Sequence, residues 1–420
     1  MNLHRRPIPV EQAIDQVMNW KQIGRIETVS IEESHGRYLA EDITATNAVP
    51  PFDKSPYDGF ALRSADTKGL GKGESSEFHV IEQVGAGHRA SRPLHKGEAV
   101  RIMTGAEIPQ GADCVAMFEV CETFEKNNQP FMKIKRELSP RQNVIEKGSE
   151  VEKGAGLLQV GQKVNPGVQA ILATFGYSTI KVYQKPKVGI FATGTELLDV
   201  EEPLVPGKIR NSNAFMAAAQ IERAGAEAVY LGKLEDDFNT CFEALSSAVD
   251  EVDLLITTGG VSVGDFDLMP DLYKKLEAEV LFNKIAMRPG SVTTVAQLNG
   301  KLLFGLSGNP SACYVGFELF AYPVIQHLLG ASRPFHRRTK AVLGSDFKKA
   351  NPFTRFVRGF IAYEDGKLVV YPAGVDKSAV VTSLARTDTF IVLRGGTRGY
   401  EAGDQVDAIF VEGETGQEHF

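Results

Sequence analysis

Residues 187–194 read KVGIFATG. Behind them come NAFMAAAQIERAG (213–225), AEAVYLGKL (226–234), FNTCFEALSSAV (238–249), DLLITTGG (253–260) and LLFGLSGNP (302–310). Apolar strand-like runs closed by glycine alternate with stretches that repeat apolar residues at the helical period. Strand, helix, strand, helix at intervals of roughly 30 residues predicts a parallel sheet with helices on both faces, a doubly wound α/β domain.

On the N-terminal side, Val10, Ile14, Val17, Met18 and Ile23 fall at helical spacing behind Pro7 and Pro9, with Gly24 as a stop. They predict an amphipathic helix of about three to four turns. From Thr44 the chain becomes rich in glycine and proline, with short runs EFHVIEQV (77–84), AVRIM (99–103) and CVAMFEV (114–120). These predict a compact β-rich module. A connector follows, with a helix expected over 168–175 and closed by Gly176. The apolar stretch 314–329 is broken by Glu318 and Pro323 and is too short to span a bilayer, so it reads as a core helix. Beyond Pro334, FVRGFIAYE (356–364), KLVVYPA (367–373) and DTFIVLRGG (388–396) predict a small all-β domain. The expected division is 1–45 with 146–185 as a helical and connector domain, 46–145 as the β-rich module, 186–333 as the α/β domain and 334–420 as a C-terminal β domain.

The chain has 420 residues, room for about three cores at ~150 residues per domain. Hydrophobic residues are 43% and charged residues 24%, which fits a globular protein and neither a disordered nor a membrane-embedded one. Lys plus Arg number 46 against 53 Asp plus Glu, a net charge of -7. That is opposite to the footprint of a nucleic-acid binder, so an anionic ligand needs a local cluster of positive groups. Cys114, Cys121, Cys241 and Cys313 form no C-x-x-C pair and read as reduced, mostly buried thiols. The start, MNLHRRPIPVEQAID, lacks the apolar core of a signal peptide, so a cytoplasmic location is expected, with no membrane partner.

Ligands of an open α/β sheet bind outside the carboxyl ends of its strands. Three such ends are informative: Thr193-Gly194-Thr195-Glu196, then Gly259-Gly260-Val261-Ser262-Val263-Gly264-Asp265-Phe266-Asp267, and Ser307-Gly308-Asn309-Pro310. Their glycines let backbone N–H groups approach a phosphate, with hydroxyls nearby and a helix start beyond. No P-loop and no dinucleotide fingerprint occurs. The rim acids Glu196, Asp236, Asp265 and Asp267 suit a hard cation such as Mg²⁺ that bridges carboxylates to a substrate phosphate, while Asp236, Asp237 and Asp265 also suit helix capping. Alternation along 282–290 places Lys284, Ala286 and Arg288 on one strand face, where the two cations can hold an oxyanion. Lys208 and Arg210 add positive charge, and the basic run 386–398 reads as a solvated edge.

The ordered set PPFDKSPYDGFA (50–61), RIMTGAEIPQGAD (101–113), TGTEL (193–197), GGVSVGDFD (259–267), MRPG (287–290) and SGNP (307–310) resembles the molybdopterin molybdenumtransferase (MoeA) family and the related E domain of gephyrin. The resemblance implies a transferase of molybdenum cofactor biosynthesis. Such an enzyme inserts molybdate into adenylylated molybdopterin with Mg²⁺, releasing AMP and molybdenum cofactor. It also implies an elongated cytoplasmic homodimer of four-domain subunits, with the active site between the α/β domain of one subunit and the β-rich module of the other. Contacts with the adenylylating enzyme and with acceptor molybdoenzymes are expected as well. Functional residues carry over onto Asp58, Thr104, Glu196, Asp236, Asp267, Lys284 and Arg288, and onto Glu150. Glu196, Asp236 and Asp267 are then the metal ligands. The substrate-binding set is Gly259, Gly260, Ser262, Gly264, Lys284, Arg288, Ser307, Gly308, Asn309 and Pro310. Tyr57, Glu150, Arg288, Ser291 and Ser307 depart from the residues commoner in the family. The alternatives are a molybdopterin-binding scaffold without chemistry, favoured by binding without AMP release, and a molybdopterin adenylyltransferase, which would consume ATP.

Overall fold

The computed structural model describes residues 6–20, 22–71, 73–234, 237–260, 269–349 and 352–412. They fall into two units. The first comprises residues 1–41, 160–166 and 179–420, and the second 42–159 and 167–178.

The chain opens on α1 (Val10–Met18), which buries Val10, Ala13 and Val17. It is shorter than the sequence pattern predicts. Trp20 turns inward and donates its indole N–H to the Gly300 carbonyl at 2.7 Å, while Ile23 stays 74% exposed. Gly24 does not stop the helix. A Cβ there would run into the Leu328 carbonyl, so its missing side chain serves a close approach.

The second unit is built on β1 (Gly59–Leu62), β2 (Ser76–Val84), β3 (Glu98–Ile102), β4 (Cys114–Met117), β5 (Cys121–Lys126) and β6 (Gln129–Ile134), paired in the order β4-β1-β3-β2-β6-β5. One 3₁₀ turn, Phe118–Val120, leads directly from β4 at one edge to β5 at the other. The sheet therefore curls, enclosing Phe60, Leu62, Phe78, Met132 and Ile134. Helix α2 (Pro166–Thr174) ends before Gly176, whose φ of +75° gives the left-handed stop read from the sequence.

The α/β part of the first unit contains β7 (Lys187–Thr193), α3 (Asn213–Arg223), β8 (Glu227–Leu234), α4 (Phe238–Glu251), β9 (Leu254–Thr258) and α5 (Met269–Lys275). It continues with β10 (Glu279–Phe282), β11 (Thr294–Leu298), β12 (Lys301–Leu306) and α6 (Pro310–Gly316). The sheet order is β8-β7-β9-β12-β11-β10. Strands β8, β7, β9 and β12 are parallel, and Val188, Ile190 and Ala192 face one core while Phe191 and Leu255 face the other. Burial on both sides is why these strands read as continuous apolar runs. The sheet is not parallel throughout. Asn299 and Gly300, with φ of 51° and 77°, form a two-residue turn that can only join antiparallel strands, and β11 and β10 extend the sheet in that sense.

The stretch 314–329 is a core element but not one regular helix. Helix α6 passes into a π-helical turn, Phe317–Ala321, before α7 (Tyr322–Leu328). Pro323 lacks the N–H that a continuous ladder needs, which localises the irregularity. Beyond it β13 (Arg338–Leu343), β14 (Thr354–Glu364), β15 (Lys367–Pro372), β16 (Thr389–Leu393) and β17 (Gln405–Phe410) pair in the closed circuit β14-β15-β13-β17-β16-β14. The terminal β domain is thus a five-stranded barrel. Among the described residues no helix is long and apolar enough to cross a membrane.

Phe304 on β12 is fully buried in the core that joins the sheet to α1 and α3. Truncation by Phe304→Ala should lower stability by about 3–5 kcal/mol, read as a shifted denaturant midpoint for the first unit.

Candidate active site

Because β7, β9 and β12 are parallel neighbours, their carboxyl ends lie side by side and the three glycine loops leave one edge of the sheet. The loops touch one another. Gly259 has a φ of +99°, its N–H donates to the Leu306 carbonyl at 2.9 Å, and a Cβ on it would strike the Thr193 carbonyl. At Gly260, with φ +64°, a Cβ would lie 2.9 Å from the Thr193 hydroxyl oxygen. At Gly308 a Cβ would meet the Cα of Gly259 at 3.5 Å. Asn213, at the start of α3, donates its amide to the Gly308 carbonyl at 2.9 Å. The Ser307 hydroxyl accepts from the Asn309 N–H at 3.2 Å, and Pro310 opens α6. Thr257 and Asn213 each keep a buried side-chain oxygen with no described partner.

Glu196 stands at the tip of this rim, exposed, and its carboxylate folds back over Gly194. Two short strands, Leu197–Leu198 and Ile209–Arg210, pair beyond it, and Lys208 donates to the Thr195 carbonyl. Lys208 thus braces the loop, and Arg210 donates to the Glu202 carbonyl at 3.1 Å. Beyond Phe282, the last residue of β10, only Met287–Arg288 is a strand along 283–290, but the sidedness expected from alternation holds. Ile285 and Met287 are fully buried, Lys284 and Ala286 partly exposed and Arg288 exposed. A Cβ on Gly290 would lie 3.3 Å from the Ala312 carbonyl, so the MRPG turn rests against the start of α6. Asp237 is a helix cap, its carboxylate accepting from the Thr240 hydroxyl at 2.6 Å and from the Thr240 N–H at 2.8 Å, which together hold its pKa below the usual range. Asp236, Ser262, Gly264, Asp265 and Asp267 lie outside the described residues.

The barrel contributes a loop that sequence reading missed. Ser311, at the start of α6, donates its N–H to the Ser378 carbonyl at 3.0 Å and its hydroxyl to the Val380 carbonyl. Asp376 in that loop is gripped by Arg355 at 2.6 Å and by fully buried Arg358 at 3.1 Å. Two arginines three residues apart on an apolar strand were the available signal.

In the second unit the structure pairs two predicted residues. Asp58 Oδ1 accepts from the Thr104 N–H at 2.7 Å and from its hydroxyl at 2.9 Å. These donors, with the Arg101 charge, hold the Asp58 carboxyl below the ordinary range. Glu150 is exposed and donates its backbone N–H to the Val49 carbonyl at 3.1 Å. A cavity of about 520 Å³ in the first unit, between α1 and the barrel, holds none of the predicted side chains.

An open α/β sheet whose glycine loops crowd the carboxyl edge, joined to a terminal five-stranded barrel, defines a multidomain α/β class. The description of the MoeA N-terminal region (domains I and II) matches residues 8–176, that of the probable molybdopterin binding domain residues 189–327, and that of the MoeA C-terminal region (domain IV) residues 340–411. A molybdopterin molybdenumtransferase of Bacillus subtilis (strain 168) is 54% identical over 99% of this chain and 96% of its own. One of Staphylococcus aureus (strain COL) is 48% identical over 99% and 98%. The crystal structure of the molybdopterin biosynthesis moea protein from Pyrococcus horikosii covers 97% of this chain and 100% of its own, at 30% identity and a TM-score of 0.86. The chain belongs to the molybdopterin molybdenumtransferase family, enzymes of molybdenum cofactor biosynthesis.

Thr104→Val removes the hydroxyl donor and should raise the Asp58 pKa toward the ordinary ~3.9, measured by carboxyl carbon NMR. The native contact stabilises above that range and is lost as pH falls through the lowered value, so the variant should lose this part of its acid dependence.

Proposed function

We propose that this protein inserts molybdate into adenylylated molybdopterin, releasing AMP and molybdenum cofactor. The observation that carries the reading is the convergence of the Thr193, Gly259 and Gly308 loops on one edge, with Glu196 at its tip. Backbone N–H groups of the Gly259 and Gly308 loops bind the phosphates, and Ser307, Asn309 and Pro310 shape the start of α6 beside them. Lys284 and Arg288 hold molybdate as an oxyanion, with the MRPG turn fixed against α6. We assign Asp58 and Thr104 as a preorganised pair that orients a substrate group, and keep the four-domain division and a cytoplasmic location as part of the same reading. A homodimer supplies the Asp58–Thr104 pair of one subunit to the α/β rim of another.

Glu196, Asp236 and Asp267 are assigned as ligands of Mg²⁺. The exposed Glu196 carboxylate, which makes no ion pair with a described residue, is the hard oxygen donor this ion prefers, so the described part of the set fits. When bound, Mg²⁺ supplies charge neutralisation on the phosphoanhydride. The chain itself contributes positioning and electrostatic complementarity, the terms that dominate phosphoryl chemistry.

The test is AMP release from adenylylated molybdopterin, with and without molybdate and Mg²⁺, alongside reconstitution of a cofactor-free molybdenum enzyme. Release that needs both ions, with reconstitution, is expected. Glu196→Gln should weaken the Mg²⁺ dependence by about tenfold or more, a conservative figure for a direct ligand. Binding without release would overturn the transferase reading.

A further inference from the structure

The second unit holds a cavity that none of the assignments above uses. It has a volume of about 470 Å³ and opens at the mouth of the curled sheet, where Phe60, Val80, Arg101, Phe118, Thr123 and Glu125 line it. Its walls follow from register. Thr123 is paired with Met132, which is fully buried in the sheet's core, so Cys121, Thr123 and Glu125 belong to the inner side of β5. Phe60 is paired with Arg101, and these two share the inner side of β1 and β3. Phe124 and Phe131, stacked on each other with His79 beside Phe131, complete the lining at the edge of the hairpin.

Inside the mouth the chemistry is uneven in a useful way. Phe118 meets the edge of Phe60 at a centroid distance of 5.3 Å, and the Arg101 guanidinium lies 5.0 Å from the Phe118 centroid. Arg101 therefore offers a flat cation, backed by a ring, as a stacking platform. Neither Arg101 nor Glu125 makes an ion pair with a described residue, although the neighbouring Lys126 is held by Glu77 at 2.9 Å. Burial pushes the Cys121 thiol up to about 12, so it stays neutral and adds only apolar wall. Two of the wall residues also bear on the pair already assigned. The Phe118 N–H donates to the Asp58 carbonyl at 3.3 Å, and the Arg101 charge acts on the Asp58 carboxyl.

We propose that this mouth binds the flat 2-amino-4-oxopyrimidine ring of a pterin, stacked on the Arg101–Phe118 platform, with the Glu125 carboxylate accepting from its ring N–H and exocyclic amine. A carboxylate takes two parallel N–H bonds from that edge, whereas adenine presents no such donor pair, so Glu125 selects the pterin half of the substrate over its adenylate half. The inference rests on the transferase reading for the identity of the ligand, and Arg101 and Glu125 become specificity-determining residues in it.

The experiment titrates the full chain with 6-hydroxymethylpterin, followed by quenching of pterin fluorescence, and separately with AMP. Glu125→Gln should weaken pterin binding about tenfold or more and leave AMP binding unchanged, and Glu125→Asp should recover most of the loss. Arg101→Leu should weaken it as well, with the Asp58 titration followed in parallel to separate stacking from its effect on that carboxyl. The proposal is overturned if the wild-type chain does not bind the pterin, if Glu125→Gln binds it as tightly as wild type, or if that variant loses AMP binding equally. A wild-type chain that binds the pterin but inserts no molybdate would sink the transferase reading and leave the cavity assignment standing. A chain that inserts molybdate with the same KM after Glu125→Gln would do the reverse.

Discussion

Three loops must leave adjacent parallel strands and pass within contact of one another, and that requirement governs the rim. Gly259 carries both halves of the constraint, a positive φ and a Thr193 carbonyl where a Cβ would stand. Gly308 then rests on Gly259, Asn213 holds the Gly308 carbonyl, and α6 starts where Pro310 already has the dihedral a helix needs. Each element fixes the next, so the backbone N–H groups of the rim are set before any ligand arrives. Preorganised donors are what phosphoryl chemistry asks of a protein, since little else in such a reaction is left for side chains to do.

Much of this was legible because the relevant physics is local. A strand buried on both faces reads as an apolar run, a glycine after it marks the turn, and the repeat of the two announces the sheet. Glu196 was legible for the same reason, lying two residues beyond such a glycine. The antiparallel edge was missed, though Asn299-Gly300 states it, since the residues around it have the same apolar composition as a parallel strand. The periodicity predicts a longer N-terminal helix because Ile23 keeps the period, whereas the helix ends at Met18 and Trp20 has already turned into the core.

Other features depend on distance in the fold and could not be read from spacing. Asp58 and Thr104 are 46 residues apart, and each alone is an ordinary turn residue. Only the pairing of β1 with β3 brings their loops together, so spacing alone does not single them out and the resemblance does. The loop around Asp376 is similar. Its grip on α6 relies on Arg355 and Arg358 from a strand that closes the barrel, a contact with no local signature.

The barrel loop can only matter at the rim if the barrel is held firmly against the α/β domain, and a buried polar hub supplies that hold. Glu318, with a fully buried side chain, sits in the π-helical turn between α6 and α7. It accepts from Gln220 and Arg223 of α3 and contacts the His336 ring at 2.7 Å, just ahead of β13. His336 in turn stacks on Tyr322 at 3.7 Å, and Arg223 reaches Glu412 beyond β17. A buried carboxylate with several donors adds little net stability compared with an apolar packing, but removing one partner is costly because the charge stays behind. Its use here is orientational. Apolar contacts between Tyr314 and Phe390 would tolerate sliding, whereas Glu318 must meet donors on α3 and on the segment leading into the barrel at once. The π turn that aims it inward is therefore part of the same arrangement that seats Ser378 and Val380 on α6.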